Sequence, residues 1–230
     1  MNEQQTLASG ASPSLSRRRF IGYAGALAGA GLLAGSIVSC KKEEDPMDGA
    51  IDLGSGDTGV LNLVFAMAQL QAAFYAQVIL TPYTPLKTTD AEYKLIVNMR
   101  DHEIAHRELL RKLVGGGAIA DLTPNFTNVF FNKRTSVLDT ARFFEDLSVA
   151  AYNGATKLLS SDVLLDVFVK IASVEARHAA TIHNLIELGT FTSNQIGQDG
   201  LELASDPKDV LLPLSAYFKE KLNPANLPTS

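Results

Sequence analysis

Two short stretches, Asp101-His102-Glu103-Ile104-Ala105-His106 and Val174-Glu175-Ala176-Arg177-His178, decide how the rest of the chain is read. Each places a glutamate three residues before a histidine, a spacing that puts both side chains on one face of a helix. Apolar residues extend that face in both directions. Ile96, Met99, Leu110 and Leu113 step by three or four around the first pair, and Leu164, Phe168, Ile171, Ile182 and Leu185 do so around the second. The polar pair therefore interrupts a core-facing stripe on two helices. A buried carboxylate without a partner is costly, so these glutamates are expected to be ion-paired, hydrogen-bonded or bound to a metal. With 11 glutamates among 230 residues and four histidines, two such pairs by accident are on the order of a one-per-cent event.

Outward from these stretches the periodicity predicts helices and little else. A first helix runs from Asp57 to Leu80, capped by Asp57 or Thr58 and stopped at Thr81-Pro82. The second follows Thr88-Thr89-Asp90 and ends at Val114, before Gly115-Gly116-Gly117. The third runs from Thr135-Ser136 to Leu159, and the fourth from Ser160-Ser161-Asp162 to Leu188-Gly189. About twenty residues separate the second and third helices, too many for a simple turn. They carry Phe126, Val129, Phe130 and Phe131, which are expected to pack as the segment crosses the bundle. Asp206-Pro207 opens a short fifth helix to about Leu222, kinked near Pro213. The expected fold is all-α: a four-helix bundle with one long crossover and a short C-terminal fifth helix.

Composition narrows the chemistry. Twenty basic and 25 acidic residues give a net charge of −5, and the only basic tract is Arg17-Arg18-Arg19, so a nucleic-acid partner is not expected. A single cysteine, Cys40, excludes an internal disulfide, a cysteine-rich zinc site and a cysteine-held iron–sulfur cluster within one chain. Any metal must be held by carboxylates and histidines. Residues 1–39 have the shape of a signal peptide: the arginines precede Phe20, and no charge follows until Lys41. The paired arginines resemble a twin-arginine translocation signal. Ile37-Val38-Ser39-Cys40 resembles a lipobox, with Cys40 lipidated and tethered to the membrane. An uncleaved anchor, or an ordinary signal peptide with a chance cysteine, gives the same export. Residues 40–56 read as a flexible tether, 57–188 as the bundle and 189–230 as a C-terminal extension. Without residues 1–39, which hold three arginines and Glu3, 17 basic and 24 acidic residues leave −7. The expected location is the cell envelope, on the periplasmic side or the cell surface. A homodimer is compatible with the sequence, and no protein partner is legible.

The third helix adds Glu145 to the stripe Leu138, Val149, Tyr152. Imidazole and carboxylate groups in this number suit iron or manganese. The arrangement resembles ferritin-like di-iron carboxylate bundles. More closely, Gln71-Ala72-Ala73-Phe74-Tyr75, His102-Glu103-Ile104-Ala105-His106, Glu145 with Tyr152-Asn153-Gly154-Ala155, and Glu175-Ala176-Arg177-His178-Ala179-Ala180 resemble the bacterial ferritin-like domain family that includes desiccation-related proteins. The resemblance implies metal ligands at Glu103, His106, Glu145, Glu175 and His178. It also implies a glutamate on the first helix, where residues 58–89 contain no acid at all. Gln71 is the candidate in that place, or Ala68 if Tyr75 is aligned with Tyr152.

Two functions stay open on these residues. One is binding of one or two iron or manganese ions, with oxygen or peroxide chemistry. The other is a non-catalytic, stress-associated bundle whose glutamates and histidines form a metal-free polar network. His102 and His183 are expected at the solvated surface. Arg177 is expected to pair with Asp101, Glu103 or a surface group. Tyr75 and Tyr152 are read as core tyrosines reaching for an acceptor, or as groups close to the metals.

Overall fold

The structure, a computed structural model, describes residues 47–83, 86–87, 89–191 and 194–229. The signal stretch, Cys40 and the start of the tether lie outside the described residues. The elements follow in the order β1 (Ile51–Asp52), α1 (Gly56–Leu80), α2 (Ala91–Val114), a 3-10 turn (Gly115–Gly117), α3 (Arg134–Thr156), α4 (Asp162–Ile186), α5 (Pro207–Ser215) and β2 (Leu222–Asn223). Helices α1 and α2 form one hairpin and α3 and α4 another. The expected all-α bundle, its crossover and its short fifth helix are present.

The helix ends follow local chemistry. Gly115 stops α2 at φ +61°, in the left-handed region that a Cβ disfavours. The Ser161 hydroxyl caps α4 by accepting from the Leu164 N–H. Asp57 does not make the α1 cap read for it or Thr58 from the sequence, a position that Ser55 takes. Asp57 lies inside the helix and accepts from the Ser160 N–H and hydroxyl, both at 2.8 Å, tying the start of α1 to the turn before α4. The fifth helix ends at Ser215, with Pro213 inside it, and not near Leu222.

The crossover runs along the outer side of α1. At the start of α1, Asn62 donates to the carbonyls of Leu53 and Gly117 and accepts from the Ile119 N–H. Two turns on, Gln69 Oε1 accepts from the Leu122 N–H at 2.7 Å. Further along, Phe74 meets Phe126 and Phe131 at ring-centroid separations of 6.0 and 5.8 Å, with Phe144 of α3 at 5.3 Å. Such aromatic pairs contribute roughly 0.5–1.5 kcal/mol each beyond their burial. By length and composition α1 could cross a membrane, but from Gly59 to Ala72 every residue is buried within its own protein, as a helix without a polar face requires. Phe130 departs from the expected packing: it is 57% exposed, with the Lys133 ammonium over its ring.

The C-terminal extension is part of the same body. Asn125 N–H donates to the Tyr217 carbonyl and Lys219 N–H to the Thr123 carbonyl, fixing the segment after α5 on the crossover. The Ser205 N–H donates to the Ala150 carbonyl, and Asn153 Nδ2 to the Leu203 carbonyl. A Cβ at Gly154 would collide with the Ser205 carbonyl. The Asn153-Gly154 pair therefore admits the C-terminal strap against α3. Ile51 and Asp52 pair in parallel with Leu222 and Asn223, and Leu53 is fully buried. The folded body thus includes Ile51 and Leu53, inside the stretch read as tether: Ile51 pairs with the chain's far end, and the Leu53 carbonyl accepts from Asn62 of α1. The described residues form one compact unit with its own core.

Candidate metal centre

Midway along the bundle, the inner faces of three helices deliver Glu103 and His106 from α2, Glu145 from α3, and Glu175 and His178 from α4. The stripes read from the sequence hold: Ile96, Met99 and Leu110 are buried around the first pair, and Phe168, Ile171 and Ile182 around the second. All three glutamates are no more than 1% exposed. One ligand atom each from Glu103, Glu145, Glu175 and His178 lies within 4.8 Å of the others. His178 Nδ1 stands 3.1 Å from Glu103 Oε1 and 3.4 Å from Glu145 Oε2. His106 Nδ1 stands 2.8 Å from Glu175 Oε1 and 3.6 Å from Glu103 Oε2. Glu103 therefore faces both imidazoles, one through each oxygen.

These are ion-pair distances, and as placed they lack hydrogen-bond direction. Both oxygens of Glu103, Glu145 Oε2 and the Nδ1 atoms of both histidines are buried and have no partner in hydrogen-bonding direction. Buried polar atoms are nearly always satisfied, and five orphans in one place call for a common partner. Carboxylate oxygens and imidazole nitrogens pointing into one small volume, and not along each other's donor axes, suit a hard divalent ion.

Helix α1 contributes without a carboxylate. Gln71, buried, donates from Nε2 to Glu175 Oε2 at 3.5 Å, so of the two alignments left open by the sequence, Gln71 is the one that reaches the cluster. One turn later the Tyr75 hydroxyl donates to Glu145 Oε1 at 2.5 Å. Burial, followed by the Glu145 charge, pushes the Tyr75 phenol well up, so it stays protonated and can donate. Tyr152 is also buried, with its ring edge-on to Phe168. Its phenol is pushed up by burial and then by Glu175 and Glu103.

Without a metal the cluster holds protons. Burial opposes the imidazolium of His106, but Glu103 and Glu175 outweigh it and push it up to about 9. His178 goes up to about 10, Glu103 and Glu145 overcoming the same burial. Burial, with the charges of Glu103 and Glu175, pushes Glu145 up to about 8 against the pull of His178. Glu103 is held low because the two histidines outweigh its burial.

Of the three other polar residues read from the sequence, only His183 lies elsewhere than expected. His102 is exposed, as read, but its Nδ1 is 2.9 Å from His178 Nε2. Its own pKa is lowered by partial burial and then by the charge of His178. His183 is not solvated: it is buried and bonded through Nε2 to Asp146 at 2.8 Å, where Gln195 also donates. A helical period could not show this, because the cover comes from the C-terminal extension. Arg177 takes the surface alternative and meets neither Asp101 nor Glu103. Asp101 pairs with Arg100, and Arg177 only reaches the Ser173 hydroxyl at 3.5 Å.

Fold and cluster together define a class of protein, the helical bundle whose core carries carboxylates and histidines able to hold a metal. A family model described as the ferritin-like domain matches residues 56–188, and the chain belongs to that family. No curated protein matches the chain significantly.

Proposed function

We propose that Glu103, His106, Glu145, Glu175 and His178 hold iron or manganese, with Gln71 as a neutral sixth contributor, in a ferritin-like protein of the cell envelope. The observation that carries this reading is the convergence of five buried, undirected ligand atoms on one small volume. A bound iron or manganese would supply one-electron chemistry toward oxygen or peroxide. The chain's own residues supply the rest. Tyr75 fixes the orientation of Glu145, Glu103 is shared between the two histidines, and the surrounding apolar stripes keep bulk water from the carboxylates.

Charge argues for uneven occupancy. Three carboxylates balance one divalent ion with charge to spare, whereas two ions leave a net positive centre that Gln71 cannot offset. One tightly held ion and a weaker second follow. The motif set supports placing the chain in the desiccation-related branch. Arg17-Arg18-Arg19 and the lipobox at Cys40 support export and attachment through lipid, with loading of the ion before a folded export.

A second reading has an observation of its own. The amide of Gln71 donates to Glu175, and protons on the histidines and Glu145 balance the cluster, so a metal-free network in a non-catalytic stress bundle is self-consistent. Anaerobic addition of Fe(II) or Mn(II), followed by thermal unfolding, separates the two. The metal reading expects a rise in unfolding temperature that His106→Ala and His178→Ala abolish. An unchanged temperature in the wild-type protein supports the polar network.

A further inference from the structure

The two exposed-side nitrogens of the cluster lead to a residue that the ligand set does not include. His102 Nδ1 lies 2.9 Å from His178 Nε2, and the two ring planes are 5° apart with centroids 5.2 Å from each other. Faces in van der Waals contact would lie about 3.5–4 Å apart, which would keep any two nitrogens beyond 2.9 Å. The rings are therefore coplanar and joined edge to edge, with one nitrogen's hydrogen in line with the other's lone pair. That is hydrogen bonding between imidazoles and not π-stacking. The bond also spans the two E-x-x-H helices: His102 sits on α2 beside Glu103, and His178 on α4. Both rings line a cleft of about 260 Å³ between these helices, walled by Leu95, Met99, Val174 and Thr181.

We propose that His102 is the positioning residue of the centre: its Nδ1 accepts from His178 Nε2–H and so holds His178 Nδ1 turned toward Glu103 and Glu145, free to ligate. The inference rests on the metal reading above but adds a residue and a direction to it. An imidazole has two nitrogens, and the hydrogen bond made by one decides which is left for the metal. Here the outer nitrogen is engaged at the surface, so the inner one is the ligand atom. Among the described residues no such partner stands on the outer nitrogen of His106, so the two E-x-x-H histidines differ in how firmly they are aimed. The same bond ties α2 to α4 on the side where the cleft would otherwise let them part.

The test uses protein from Asp48 onward, which contains nearly all of the compact unit and every residue of the cluster. A two-bond nitrogen–nitrogen coupling across the hydrogen bond, read by NMR on metal-free, 15N-labelled protein, is expected between His102 Nδ1 and His178 Nε2. Its absence would overturn the proposal whatever the metal does. Mn(II) affinity, read from the EPR signal of free ion, is then compared among wild type, His102→Leu and His102→Asn. His102→Leu keeps apolar contact with the cleft and is expected to weaken binding about ten- to hundredfold, as loss of an outer hydrogen bond to a ligating histidine does. His102→Asn, whose Oδ1 stands as many bonds from Cβ as Nδ1 does, is expected to recover most of that loss, a rescue that a merely structural role would not show. Equal affinity in all three proteins overturns the proposal. A wild-type protein that shows the coupling but binds neither Mn(II) nor Fe(II) overturns the metal reading itself, leaving the imidazole pair as a tie between helices.

Discussion

Restoring the missing carboxylate with Gln71→Glu should destabilise the metal-free protein and enlarge its response to metal. The new oxygen would stand near Glu175 Oε2, which the glutamine amide now approaches to 3.5 Å, in a site that is 2% exposed at Gln71. Two ionised carboxylates at that distance repel by on the order of 5 kcal/mol at an effective dielectric constant of about 20. Taking up a proton instead costs about 3–4 kcal/mol at pH 7, from an ordinary glutamate pKa of about 4.3 and 1.36 kcal/mol per unit. The cheaper route wins, so the variant should lose about 3–4 kcal/mol without metal, less at lower pH. For a body of this size that is a fall of roughly 10 °C in unfolding temperature. Calorimetry in chelator at two pH values measures it, and repetition with Mn(II) should show a larger metal-induced rise in the variant than in the wild type. A variant as stable as wild type without metal, or one with a smaller metal response, would refute the placement of Gln71 against the cluster.

Three further outcomes follow from the same geometry. The folded state binds extra protons at Glu145 between its ordinary value near 4.5 and about 8, and at His106 and His178 between about 6.5 and about 9 to 10. The histidine contribution is complete below about 6.5 and is lost as pH rises through the folded values, and Glu145 acts in the same direction, so metal-free stability should fall from about pH 6 to pH 9. A rise in unfolding temperature over that range contradicts the proton-balanced cluster. Tyr75→Phe leaves Glu145 Oε1 without its donor and should cost about 1–3 kcal/mol by urea unfolding in chelator; no shift in midpoint would mean the bond is not made. Leu53→Ala removes a fully buried side chain and should cost about 2–5 kcal/mol. A loss within about 0.5 kcal/mol, as at an exposed site, would return residues 50–56 to the tether.

The helices and the three inward glutamates were legible because helical period and burial are the same fact seen twice. A glutamate between Met99 and Leu110, or between Ile171 and Ile182, can face only the core. Gln71 was legible as the weak point for the same reason. What period could not show was cover from distant sequence. The crossover lies over α1 through Asn62, Gln69 and Phe74, so α1 is buried on faces that a four-helix reading leaves open. His183 is buried because Gln195, beyond α4, returns to share Asp146. Leu53 is buried because the chain's last turns come back to Ile51. His102 sits at an exposed position on its helix, and its role depends on how closely α4 brings His178, which one helix's pattern does not contain.

Metal stoichiometry decides whether the buried cluster is a metal centre. Protein from Asp48 onward, purified without chelator and loaded anaerobically with iron or manganese, is measured by elemental mass spectrometry beside a Glu103→Ala/Glu175→Ala control. About one ion per chain is expected to stay bound through purification, a second only at excess metal, and neither in the control. No bound iron or manganese after loading, or equal metal in the control, would contradict the metal reading.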